Sequence, residues 1–273
     1  MFSCPRILVL KLFGTSLGVL LGLLLSAPQA EAGFNATLNS VTTNNGNYVT
    51  LNVQNTNAPL FGETAIAGQL NWTATSAVSG LTGSGNTFGT FCIEIPKNVY
   101  LGSTYAFTQT DLNALPTSGP ALTPVKIAQI QALWAAAHGS IVVANNATAT
   151  ANNYAAFQVA IWEIVYENSS TYDVNAGAGN FTAWSNGAVT NRANTYLGAI
   201  NDSQLVNGVL MKGGTALTRA NVVGFKLTAN GAGDYQDQIG EVTPTPAPPA
   251  VVLLLSGFVP LLAFRRRLLK LTA

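Results

Sequence analysis

The first part of the chain alternates apolar and polar positions with a period of two. The alternation is clearest in two runs: Val49, Leu51 and Val53, and then Ile66, Gly68, Leu70 and Trp72. Successive side chains of a strand point to opposite faces. Residues 34–95 are therefore predicted to form strands of an antiparallel, half-exposed sheet. Asn44-Asn45-Gly46 predicts a turn between the first two strands.

From Thr123 the pattern changes to a helical period. Thr123 is a predicted N-cap, Pro124 suits the first helical position, and apolar residues at helical spacing continue until Gly139 ends the run. A second helix is predicted from about Asn153 to Glu167. It is apolar on more than one face and is therefore expected to be largely buried. A weaker pattern predicts a third helix over Thr182 to Ile200.

The order of these elements defines the fold class. A strand pattern returns at Val223, Phe225 and Leu227, so the helices are inserted between blocks of strands. This order predicts an α+β fold, an antiparallel β-sandwich or barrel that carries an inserted helical subdomain over about residues 123–200. We assign residues 33–242 to this domain.

The amino-terminal end is predicted to be a secretory signal. Residues 1–32 have a basic start, an apolar stretch at 17–25 and small residues two apart at Ala30 and Ala32. This layout predicts export, with cleavage after Ala32. Cys4 precedes the apolar stretch and would leave with the signal.

The carboxyl-terminal end, residues 243–273, is predicted to be a second targeting signal. A Pro-rich spacer is followed by an apolar run from Val251 to Phe264 and by the basic stop Arg265-Arg266-Arg267, which is expected to stay cytoplasmic. The layout resembles the PEP-CTERM sorting signal of Gram-negative bacteria, although Pro246-Ala247-Pro248-Pro249 stands where that family has Pro-Glu-Pro. The resemblance implies an inner-membrane segment, an exosortase-type processing protease, and a final location at the cell surface or in the extracellular matrix.

Charge and composition exclude several classes of function. Charged residues make up only 8% of the chain, against about a quarter in typical soluble domains. Nucleic-acid binding through a basic face is therefore not expected. The sequence has no Cys/His cluster for zinc and no Gly-rich phosphate loop, so no cofactor or metal is predicted.

Cys92 is the single cysteine that remains after removal of the signal, so an intrachain disulfide is impossible. In a strand, Phe91 and Ile93 share one face while Cys92 and Glu94 share the other. If the Phe91 face packs into the sheet core, Cys92 points toward the helices that cover the sheet. Gln158 lies in the buried second helix, where an uncharged amide is costly unless it is hydrogen-bonded or consumed.

These two segments resemble the thioester domains of bacterial surface adhesins, which are best known from Gram-positive cell walls. Residues 91–94 match the aromatic-Cys-x-acid strand of that family. Its apolar-Gln-x-x-apolar-Trp helix is matched by Phe157, Gln158, Ile161 and Trp162. The resemblance implies that Cys92 attacks the amide of Gln158, expels ammonia and forms a thioester. This bond would then capture an amine-bearing partner, a protein lysine or a polyamine, in a single-use reaction rather than by enzymatic turnover.

The chemistry requires a proton acceptor and a shield from water. A thiolate is the nucleophile, and Glu94, Glu163 and His138 are candidates to activate it. The shielding side chains are predicted to be Phe91, Phe157, Ile161 and Trp162.

Two alternatives stay open at the level of sequence. Cys92 could be an inert core thiol in a non-reactive structural protein of the surface or matrix. A cysteine hydrolase would need a histidine beside the thiolate, and His138 is the only histidine in the chain. Its predicted place at a helix end makes the hydrolase the less favoured reading.

Overall fold

The computed structural model describes residues 33–42, 48–54, 59–81, 83–141, 147–175, 179–184, 186–228 and 235–243. The predicted secretory signal, the turn at residues 44–46, and the sorting signal beyond Thr243 lie outside the described residues. The strands are β1 (Gly33–Thr42), β2 (Tyr48–Val53), β3 (Leu60–Ile66), β4 (Gln69–Ala74), β5 (Thr87–Cys92), β6 (Thr104–Thr110), β7 (Phe181–Trp184), β8 (Gln204–Val206), β9 (Val209–Lys212), β10 (Thr215–Ala216), β11 (Val222–Thr228) and β12 (Gln238–Glu241).

Six of these strands close an antiparallel barrel in the order β1-β4-β5-β12-β11-β6. Aromatic side chains fill its interior. Phe107 stacks on Phe34 with a centroid distance of 5.1 Å and meets Trp72 edge-on at 4.8 Å, arrangements that add to the burial energy of aromatic rings. Closure leaves the barrel without open edges.

A second antiparallel sheet has the order β3-β2-β7. The alternating run from Ile66 to Trp72 is split between this sheet and the barrel, because β3 ends at Ile66 and β4 begins at Gln69. The prediction that this run shares one strand pattern is therefore wrong: Ile66 is half exposed, whereas Trp72 is buried. A third, smaller sheet has the order β10-β9-β8.

The helices are α1 (Pro124–Leu133), α2 (Ala147–Tyr166) and α3 (Gly187–Leu197). As predicted, the Thr123 side chain caps α1 by accepting a hydrogen bond from the main-chain N–H of Lys126 at 3.3 Å. Gly139 does not end the helical conformation, since a π-helical turn over Trp134–His138 leads into a short helix, Gly139–Ile141. Helix α2 is largely buried, as expected, although it begins several residues before Asn153.

The predicted helix from Thr182 to Ile200 is wrong at its amino-terminal end. Phe181–Trp184 forms strand β7, which pairs with β2. The helix begins only after Asn186, whose side chain accepts a hydrogen bond from the N–H of Val189. Asn186-Gly187 is therefore the start of this helix.

Together these elements form an α+β fold, with a closed antiparallel barrel and helices inserted between β6 and β11. This architecture confirms the predicted class. None of the helices in the described ranges has both the length and the apolar character that a membrane crossing requires.

Candidate functional site

Cys92 lies at the end of β5, with its side chain on the inner face of the barrel. Its cross-strand partner is Gln238 of β12, and Thr90, two residues earlier on the same face, accepts a hydrogen bond from the indole N–H of Trp72. The side chain of Cys92 is 7% exposed. Cys92 therefore sits among the inward-facing residues at one end of the barrel.

Phe91 faces the helices instead. Its ring lies 4.9 Å from that of Phe157 and 5.5 Å from that of Trp134. The expected orientation of the two faces is thus reversed, because the helices cover the outside of the barrel wall rather than its inner face. Phe91, Phe157, Ile161 and Trp162, the predicted shielding side chains, are all buried.

Gln158 nevertheless meets Cys92, through the main chain at the end of β5. Its Oε1 accepts a hydrogen bond from the N–H of Cys92 at 2.8 Å, and its Nε2 donates to the carbonyl of Cys92 at 2.7 Å. The Gln158 side chain is 1% exposed. The amide is therefore buried, fully oriented, and held against the residue predicted to attack it.

One face of α2 follows the chain that leaves β5. Gln158, Trp162 and Tyr166 lie one turn apart, as residues four apart in a helix do. The hydroxyl of Tyr166 accepts a hydrogen bond from the N–H of Ile95 at 3.0 Å. Contacts at both ends of this row hold the segment from Cys92 to Ile95 against the helix.

The thiol itself is bound by two glutamines that the sequence analysis did not single out. Sγ of Cys92 donates to Oε1 of Gln236 at 2.7 Å, and Nε2 of Gln238 lies 3.5 Å from Sγ. Oε1 of Gln238 in turn accepts from the hydroxyl of Thr90 at 3.1 Å. The available signal was the spacing of Gln236 and Gln238, which places both on one face of a strand.

The surroundings of the thiol favour its protonated form. Burial raises the pKa of Cys92 to about 12; the hydrogen bond from Gln238 lowers it and the negative charge of Glu94 raises it further. The thiol is therefore neutral near pH 7. Attack on an amide would require its proton to leave during the reaction.

Glu94, the nearest of the three predicted activating groups along the chain, is fully engaged. Its Oε1 accepts from the hydroxyl of Ser118 at 2.9 Å, and its Oε2 accepts from the N–H of Asp237 at 2.9 Å and lies 3.4 Å from Lys97 Nζ. Burial and then the charge of Glu94 raise the pKa of Asp237 to about 6. The structure thus gives Glu94 a clear role in joining the 94–97 segment, the loop at Ser118 and Asp237, the residue before β12.

The other two predicted activating groups do not hydrogen-bond to Cys92. Glu163 accepts from the N–H of Asp173 at 2.9 Å, and burial raises its pKa to about 8. His138 lies 3.5 Å from the Glu241 carboxylate, and burial lowers its pKa. Without a contact between His138 and the thiol, the geometry offers no support for a cysteine hydrolase.

A cleft with a volume of ≈ 460 Å³ reaches Cys92. Trp162 and Gln236 line it beside the thiol, and Leu51 and Leu70 contribute apolar wall. The indole N–H of Trp162 is buried and has no hydrogen-bond acceptor among the described residues. In the part of the chain that the structure describes, no cluster of side chains is suited to hold a metal ion.

Comparisons of the chain with family models, with curated proteins and with solved structures find no match.

Proposed function

We propose that this protein is an exported cell-surface or extracellular-matrix protein that forms an internal thioester between Cys92 and Gln158 and uses it to capture an amine-bearing partner covalently. The observation that carries the proposal is the double hydrogen bond between the Gln158 amide and the main chain of Cys92. It keeps the acyl donor and the nucleophilic residue together in a buried site.

The first reaction exchanges an amide for a thioester. Sγ of Cys92 attacks Cδ of Gln158, the C–S bond forms, the C–N bond breaks, and ammonia leaves with the thiol proton. The N–H of Cys92 donates to Oε1 of Gln158, so it is positioned to polarise the carbonyl and stabilise the oxyanion. Gln236 Oε1, which accepts the thiol hydrogen, fixes the orientation of the S–H bond.

A slow reaction is sufficient here. A thiol whose pKa is raised to about 12 presents little thiolate near neutral pH. Each molecule needs to react only once, however, and the hydrogen bonds between Gln158 and the main chain of Cys92 hold the two residues together, so that no bimolecular encounter is needed. This chemistry is consistent with self-modification rather than with enzymatic turnover.

The second reaction is capture. A neutral amine of the partner attacks the acyl carbon, a new C–N bond forms, and the C–S bond breaks. The amine proton passes to the departing sulfur, which restores the Cys92 thiol. The partner, a protein lysine or a polyamine, is then joined to residue 158 through a stable amide.

Export and sorting rest on the sequence signals at the two ends. The signal over residues 1–32 and the PEP-CTERM-like tail over 243–273 favour passage through the inner membrane of a Gram-negative bacterium and processing by an exosortase-type protease. At the surface or in the matrix, the domain would meet amine-bearing molecules.

The intact mass of the purified chain tests this proposal. The wild type is expected to be lighter than its sequence by one ammonia molecule, and Cys92→Ala and Gln158→Ala are expected to lack this deficit. Gln129→Ala is the matched control, since Gln129 is also a buried, hydrogen-bonded helical glutamine. Gln236→Ala should retain the mass deficit. If Gln236→Ala instead lost the deficit while Gln158→Ala kept it, the acyl donor would be Gln236, which would contradict the proposal.

One observation favours a second candidate, a non-reactive structural protein of the surface or matrix. Both polar atoms of the Gln158 side chain are already satisfied by Cys92, so the amide can serve as a clamp that fastens α2 to the end of β5. This candidate predicts a wild-type mass equal to that of the sequence and no reaction with methylamine.

A further inference from the structure

The cleft that reaches Cys92 has a distinctive distribution of polarity. Apolar side chains such as Leu51 and Leu70 line it together with polar groups, among them the buried Gln236 and Cys92. Among the described residues that line it, Glu63 carries the only formal charge. A partner group that enters this cleft therefore meets one carboxylate and no cation.

The position of Glu63 directs its carboxylate toward the cleft. Glu63 of β3 is the cross-strand partner of Leu51 of β2, and directly opposed residues of an antiparallel pair share one face. Leu51 is fully buried and lines the cleft, whereas Glu63 is exposed at its border. The Glu63 side chain makes no hydrogen bond or ion pair with the described residues, so it is available to a ligand.

A second observation indicates that the cleft takes a ligand. Trp162, which is 2% exposed, lines the same cleft, and its buried indole N–H lacks an acceptor among the described residues. A buried donor without a partner is costly. The oxyanion that forms when an amine attacks the acyl group of residue 158 would supply the missing acceptor, since Trp162 lies one helical turn from Gln158.

We infer that this cleft is the acceptor-binding site of the proposed thioester, and that Glu63 selects aliphatic amines that carry a positively charged group in addition to the amine that reacts. The inference rests on the proposed function. The charged end of the acceptor pairs with Glu63, its alkyl chain lies along Leu51 and Leu70, and its uncharged amine reaches the acyl carbon. Attack forms the C–N bond and breaks the C–S bond, and the amine proton passes to Cys92 Sγ.

Two kinds of acceptor share this chemistry: a free polyamine, and a lysine that neighbours another basic residue in a peptide. An uncharged alkyl chain fits the walls equally well but leaves Glu63 without a partner. The distinguishing quantity is therefore the ratio of reaction rates for acceptors that differ only in the second charge.

The test uses the purified full chain, cadaverine, and pentylamine, which has the same five-carbon chain but one amine. Rates of acceptor addition are followed by intact mass at low salt, and the cadaverine rate is corrected for its two equivalent amines. The wild type is expected to favour cadaverine, and Glu63→Gln to lower the ratio about two- to fivefold, the effect of one partly exposed ion pair. Asp111→Asn, which removes an exposed carboxylate outside the cleft, should keep the wild-type ratio. An acetylated Lys-Lys dipeptide amide, compared with acetyl-lysine amide, distinguishes the peptide source from the free polyamine.

The outcomes separate this inference from the proposal on which it rests. A wild type that carries the ammonia deficit but shows no preference for cadaverine overturns the role of Glu63 and leaves the thioester intact. An unchanged ratio in Glu63→Gln does the same, and indicates that Glu63 serves only as an inward-pointing charge that protects edge strand β3 from pairing. A wild type without the deficit overturns both.

Discussion

Gln158 uses both polar atoms of its side chain on the main chain of Cys92, at 2.8 and 2.7 Å. The sulfur is oriented separately, by Gln238 of β12, which pairs with β5, and by Gln236, two residues before that strand. The nucleophile and the acyl donor are thus held by different parts of the fold. This separation allows each to be perturbed without removing the other.

Trp162 provides a first prediction at the scale of single residues. If its unpaired indole N–H stabilises the oxyanion, Trp162→Phe should slow the reaction with methylamine on the order of 100-fold, the typical effect of losing one such donor. The rate is measured by the gain in intact mass. Trp134→Phe is the control, since that indole already donates to Glu241; equal rates in the two variants would exclude the role.

Glu163 provides a second residue-scale prediction, on the pH dependence of stability. Burial raises its pKa from 4.5 to about 8. Between these values the unfolded chain releases a proton that the folded chain retains, so stability falls as pH rises. In the wild type, Glu163 should lower the free energy of unfolding by on the order of 4 kcal/mol between pH 4.5 and 8. Glu163→Gln cannot ionise, so this decrease should be absent from the variant.

The free energy of unfolding, measured by denaturant at pH 5 and pH 9, checks the Glu163 prediction. Asp111→Asn, an exposed carboxylate variant, should retain the pH dependence of the wild type. If the free energy of unfolding changed equally between pH 5 and pH 9 in Glu163→Gln and in the wild type, Glu163 would not be the responsible group.

Local sequence patterns could predict Cys92 and Gln158 but not the surroundings of the thiol. A cysteine on a strand and a glutamine in an apolar helix are each visible within a few residues. Gln236, in contrast, lies 144 residues from Cys92 and reaches it only because β12 pairs with β5 when the barrel closes. Residue type alone nominates Glu163 and His138 as activating groups. In the structure Glu163 accepts from the N–H of Asp173, and His138 lies beside the Glu241 carboxylate.

At the scale of elements, helix α2 and the end of β5 form one unit. The row Gln158, Trp162 and Tyr166 follows the segment from Cys92 to Ile95, and hydrogen bonds fasten it at both ends. A helical period predicts this row. The expectation that the Cys92 face of β5 meets the helices is wrong. Alternation places Phe91 and Cys92 on opposite faces of the strand, but it does not show which of these two buried faces contacts the helix.

The same limit explains the third predicted helix. The segment from Thr182 has no strong helical pattern, and its conformation as β7 depends on pairing with β2, more than a hundred residues earlier. Tertiary pairing overrides a weak local preference.

Tyr166 provides the prediction at this scale. Tyr166→Phe removes the acceptor of the Ile95 N–H and leaves a partly buried donor unpaired, which should destabilise the fold by about 1–3 kcal/mol. Denaturant unfolding measures the loss. Tyr48→Phe, at a side chain that is 52% exposed, should change stability little, and an equally small effect at Tyr166 would mean that the hydrogen bond does not hold the segment.

At the scale of the whole molecule, the proposed bond links the barrel to the inserted helices. It would close a loop of 66 residue steps between positions 92 and 158. Such a link restricts the unfolded chain as a disulfide does, and it therefore contributes to stability as well as to chemistry.

Opening the thioester should consequently lower the free energy of unfolding by about 4 kcal/mol, the value expected from loop closure. The comparison is between untreated and methylamine-treated wild type in denaturant. Cys92→Ala is the control, because methylamine should leave its stability unchanged. Equal stability of the two wild-type samples would contradict a covalent link across the domain.

The most direct measurement of the central claim is the site of methylamine incorporation, determined by peptide mass spectrometry together with a count of free thiols. The account predicts one methylamine on the side chain of residue 158 and the simultaneous appearance of one thiol at Cys92. A Cys92 thiol that is free before treatment, with Gln158 unmodified afterwards, would contradict it.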